Sequence, residues 1–127
     1  MHDAPSTKEL VEAVKRFVDD TASPQLKGHA AFHARVASNV LSTILRELEQ
    51  RPDAETTEKA RLVALLDAGP ETALEDLNRD LCERIRSGSM DLSTDGLLDH
   101  LKTTTIAQLS IDQPRYSGLA LALQARC

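Results

Sequence analysis

Gly28 to Leu41 reads GHAAFHARVASNVL, and the placement of this stretch decides the architecture of the chain. It carries histidines at 29 and 33, an arginine at 35, an asparagine at 39, and otherwise mostly small or apolar residues. At ~100° per residue these close into a helix that is apolar over more than half its circumference. His29 and His33 point with Val36 and Val40 inside the apolar arc. Arg35 and Asn39 point the other way, with Ser38, Ser42 and Arg46. So wide an apolar arc predicts a helix at the centre of a bundle, its imidazoles packed inward among aliphatic neighbours.

Working outward, Ser23-Pro24 forms a natural cap and first turn, which starts this long second helix at Pro24. The stripe Leu26, Ala30, Ala37, Ile44 and Leu48 then passes straight through Gly28, whose missing side chain would let a neighbouring backbone approach. Pro52 predicts a stop near Gln50. A first helix precedes it, opened by a capping box of Ser6 and Glu9 and carrying Leu10, Val11, Val14, Phe17 and Val18 on one face. Asp19 to Ser23 reads as its connection to the second.

Downstream, Asp53 caps a third helix with Leu62, Leu65 and Leu66 on its apolar face. Gly69-Pro70 breaks the chain and opens a fourth, with Leu74, Leu77, Leu81 and Ile85 in line. Glu75 with Arg79, and Asp80 with Arg84, fall at the favourable i,i+4 spacing, and Gly88 ends the helix. A fifth starts after Ser93 or Thr94, burying Leu97, Leu98, Leu101, Thr105 and Leu109, and Pro114 closes it. Residues 119–127 read either as a short terminal helix or as an extended arm docked on a hydrophobic surface. With no strand pattern, the expected fold is an all-α, single-domain bundle of about five helices around a long central second helix.

Composition limits the function. Lys and Arg number 15 against 20 Asp and Glu, a net charge of -5, and the basic residues form no run. That argues against a nucleic-acid partner, as does an aromatic content of 2%. No apolar run reaches the ~20 residues of a membrane span, and MHDAPSTKEL has no apolar signal segment. The expected location is the cytoplasm, with Cys82 and Cys127 reduced and Cys82 a small core residue.

Two imidazoles four apart can face one metal ion, but no third ligand or intervening glutamate accompanies them, so no metal and no cofactor is expected. His100, at the edge of the fifth stripe, is a poor candidate. Arg35, with Asn39 beside it, has the fork that binds carboxylate or phosphate, or else pairs with an acidic neighbour. Arg115 and Tyr116 could reach a partner past the last helix. No nucleophile elbow, dinucleotide loop or phosphate loop is present, so the chain is expected not to be an enzyme.

The segments AFHARVASNVL, LNRDLCERIRSG and IDQPRYSG together resemble a bacterial family of small helical proteins of unknown function. Its members are often encoded beside aminoglycoside-phosphotransferase-like kinases and acyl-CoA dehydrogenases. The resemblance implies a cytoplasmic setting and a link to acyl-CoA or hydroxy-acid catabolism. It supplies no catalytic residue. The expectation is a non-catalytic accessory or interaction module, with a protein partner or a homo-oligomer. The alternative is a small-molecule or metal-dependent site around His29 and His33.

Overall fold

Local chemistry sets each helix boundary in the computed structural model, which describes residues 4–125. Helix α1 spans Thr7–Arg16, and the Ser6–Glu9 capping box forms reciprocally, at 2.7 Å from the Ser6 amide and 3.3 Å from the Glu9 amide. No glycine or proline interrupts the next residues. Phe17–Ala22 therefore stays helical as a wider π turn, followed by a 3-10 turn at Ser23–Gln25, where a plain connection was expected.

Helix α2 spans Gly28–Leu66, and both of its ends correct the sequence reading. It starts at Gly28 rather than Pro24, because Leu26 is extended and Gly28 takes a left-handed φ of 57°. A Cβ at Gly28 would meet nothing within 4 Å, so the glycine serves the backbone and not a close approach. The helix then runs through Pro52, absorbing the expected third helix with Asp53 inside it. Proline there removes one hydrogen bond, to the carbonyl of Leu48. Leu48 and Pro52 are both exposed, so water can satisfy that carbonyl.

Helices α3 (Leu74–Ser87), α4 (Leu97–Asp112) and α5 (Ser117–Gln124) complete the fold. Pro70 lies in the turn before α3 rather than in its first turn, and α4 starts at Leu97 behind a left-handed Gly96. Gly88 ends α3 with a φ of 79°, as its position implied. The tail is helical to Gln124, while Cys127 lies outside the described residues. Among the described residues the chain is all-α, with five α-helices and a long second one.

Contacts divide the chain into two compact units, Met1–Arg51 and Pro52–Cys127. In the first, α1 and the π turn run antiparallel to the start of α2. Lys8 pairs with Glu49 at 2.6 Å, and Lys15 reaches Ser38 at 3.1 Å. Val11, Lys15 and Val18 on the first segment and Ala31, Ser38, Leu41 and Leu45 on α2 are half-buried, and Ala34 is the one buried residue described in this unit, so burial and the Lys15–Ser38 contact mark the packed rows. Within this unit residues 28–48 of α2 are enclosed along one row only, where the sequence suggested neighbours on several sides. The second unit is closed on itself: Leu62, Leu66, Leu77, Leu81, Met90 and Leu97 form one core.

That difference is measurable. Leu62→Ala and Leu77→Ala empty fully buried positions and are expected to lower stability by ~2–5 kcal/mol. The same truncation at Val40, half-exposed in the single chain, should cost under ~1 kcal/mol in urea unfolding of a dilute sample.

Candidate functional site

The described residues hold three features with chemical or binding potential: the hairpin of the first unit, a buried polar group in the second, and a cleft beside it. The hairpin is two-sided. Val11, Lys15 and Val18 fix the packed row of α1, and Ala31, Ala34, Ser38, Leu41 and Leu45 that of α2. At ~100° per residue, Leu10, Val14 and Phe17 lie roughly 70–130° from their row, and Val40, Ile44 and Leu48 roughly 70–150° from theirs, in the same rotational sense. Because the two segments are antiparallel, both sets emerge on one side of the hairpin. Val36 carries the α2 row to its outer flank, and Phe32 lies past that flank, beside Asn39 on the other side. All eight are between 38% and 58% exposed.

The opposite side is polar. It carries Glu12, Arg16 and Asp19 from the first segment and Arg35, Asn39 and Arg46 from the second, with a dent of about 290 Å³ near Asp19. Hydrogen bonds from Lys15 and then Ser38 hold the Asp19 carboxyl below its ordinary value.

This geometry relocates the sequence candidates. His29 and His33 are exposed, not packed inward, and His33 meets Phe32 edge to face at 5.6 Å between ring centroids. A wide apolar arc records which residues avoid water, not how many helices cover them. Arg35 and Asn39 are exposed on the polar side. Arg115 and Tyr116 belong to the second unit and are exposed there, so the six candidates do not converge. The Tyr116 ring lies over Gly118, where a Cβ would come within 2.5 Å of Cε1. Cys82 is exposed rather than a core residue. Among the described residues no three His, Cys, Asp or Glu side chains group as metal ligands would.

In the second unit, sequence reasoning missed His100. Helix α4 is rotated from its expected face, so that Leu97, His100 and Ile111 are buried while Leu98, Leu101 and Thr105 are exposed. The row 97, 100, 104 and 111 has helical spacing and carried the signal, but the leucines at 98, 101 and 109 outweighed it. Arg61 donates through Nη2 to the Thr104 hydroxyl at 3.2 Å, and Asn78 donates to Glu58 at 3.0 Å. Arg61 Nε and His100 Nδ1 are buried without a protein partner. Burial, then the charge of Arg61, lowers the His100 pKa from its ordinary 6.5, against the opposing pull of Glu58 and Asp99.

Leu101 and Lys102 of α4 and Leu119 and Ala122 of α5 line a cleft of about 570 Å³, which does not include His29, His33, Arg35 or Asn39. No described helix is long and apolar enough to cross a membrane.

Residues 24–116 match the family described as a domain of unknown function, DUF6285. The chain belongs to this family. The matched span takes in α2 to α4 and both the FHARVA and PRY segments, and leaves out α1. No curated protein and no solved structure matches the chain.

The His100 site makes a signed prediction. The folded state disfavours the charged imidazole, whereas the unfolded chain takes up a proton near pH 6.5, so acid favours unfolding. Stability should be full above that value and fall as pH drops below it, by up to ~1.4 kcal/mol per pH unit. Urea titrations from about pH 7.5 to about 5.5 check this, and His100→Leu should flatten the slope.

Proposed function

We propose that this chain is a non-catalytic protein-interaction module whose docking element is the apolar side of its first helical hairpin. One contrast supports the reading. The second unit buries its leucines in a core of its own, while the hairpin keeps seven large apolar side chains half-exposed on one side and its outer flank. A patch of this kind on a soluble chain marks an interaction site far more often than a solvated face. The polar side, with paired charges and serines, suits water.

The finer reading makes the module an accessory of the kinase or acyl-CoA dehydrogenase encoded beside members of the resembling family. Its expected setting is the cytoplasm. The cleft of the second unit favours a second reading, an acyl chain or other apolar ligand between α4 and α5 in place of the His29 and His33 region.

Co-purification from cells carrying one tagged and one untagged copy at native expression tests the first reading. A stoichiometric protein, whether a neighbour's product or the untagged copy, should be recovered with the wild type and lost with Val40→Glu. Recovery of the tagged chain alone, or equal recovery with the variant, overturns it. For the second reading, an acyl-CoA should raise the melting temperature of the wild type but not of Ala122→Trp, and no shift for either removes it.

A further inference from the structure

We infer that the occupant of the hairpin's apolar side is a second copy of this chain, the two forming a two-fold symmetric dimer; this rests on the docking reading above and names its partner. Three observations carry it. The first is size. At their observed exposures the seven residues of the apolar side present roughly 570 Å² per chain, near the low end of the ~1,200–2,000 Å² in total that specific interfaces bury.

The second is symmetry. A two-fold interface is made from one patch, so each residue must find an acceptable partner in the same patch reversed. The α2 residues Val36, Val40 and Ile44 have a constant step of four, span about 80° of the helix surface and are centred on Val40. A two-fold axis near Val40 lays Val36 beside Ile44 of the second copy, large apolar against large apolar, with Val40 against its own counterpart. Rows of step four are also the ridges that interdigitate in the commonest helix–helix packing. Leu10, Val14 and Phe17 flank the row on the same side and extend the seam.

The third is charge. Residues 1–51 hold seven Lys and Arg against seven Asp and Glu, whereas residues 52–127 hold eight against thirteen. The docking unit is neutral and the whole net charge of -5 lies in the other unit. Two neutral hairpins meet without repulsion. A strongly acidic or basic partner, or an anionic lipid surface, would meet no net charge of opposite sign on this unit.

Sedimentation of the purified full-length chain at micromolar concentration tests the proposal. The expected mass is twice that of the chain. Ile44→Glu should lower the association constant about 100-fold or more by placing two carboxylates in the seam, with helical circular dichroism retained. In a background with both cysteines changed to serine, Val40→Cys should be linked to its counterpart by a short bis-maleimide, and Ser6→Cys should not. A monomeric wild type overturns the dimer, as does a dimer indifferent to Ile44→Glu or one without the Val40→Cys cross-link. A monomer that binds phosphatidylserine vesicles overturns it in favour of a membrane surface. A monomer whose co-purified neighbour is lost with Val40→Glu overturns the dimer but leaves the docking reading standing, whereas loss of both signals removes both.

Discussion

Water has to be kept from apolar side chains, and the two halves of α2 meet that requirement differently. Around Leu62 and Leu66 the helix is enclosed by Leu77, Leu81, Met90 and Leu97, and full burial of each such side chain is worth ~1.5–3 kcal/mol. Around Val40 the same helix offers one packed row to α1 and leaves the rest in solvent. One uninterrupted helix thus contributes to a finished core and to an unfinished one. The fold of the second unit, the docking reading of the first and the proposed dimer all derive from that inequality.

The polar groups show the same economy of enclosure. In the hairpin, Lys15 is tied to Asp19 and Ser38 at the edge of the packed row, where its amine remains partly wet. Such pairs order the surface and contribute little stability, since solvent screens them. His100 is in a different situation, with 3% of its surface exposed and Nδ1 unpaired. An unsatisfied buried nitrogen is costly, so this position places a polar, pH-responsive group in the buried part of the second unit.

Features governed by neighbours along the chain were legible in the sequence. The Ser6–Glu9 box, the Gly88 terminus and the Arg79 and Arg84 ion pairs each depend on residues within four positions, and all three form. Features governed by what surrounds a helix were not. Pro52 predicts a break, yet a proline removes one bond and does not forbid a helix whose orphaned carbonyl is wet. The inward placement of His29 and His33 assumed neighbours on several sides, and apolar periodicity carries no count of neighbours. In α4 two faces are buried to different degrees, so a single stripe drawn through its leucines missed His100 while catching Leu97.

The corner between α4 and α5 ties two positions together. The Tyr116 ring occupies the space where a side chain at 118 would begin, so the glycine is there for room, at an ordinary helical site. A side chain at 118 would have to push this half-exposed ring aside. Among related chains, a methyl group at the second position should travel with the loss of the ring at the first, and a search for paired changes would find 116 and 118 drifting together.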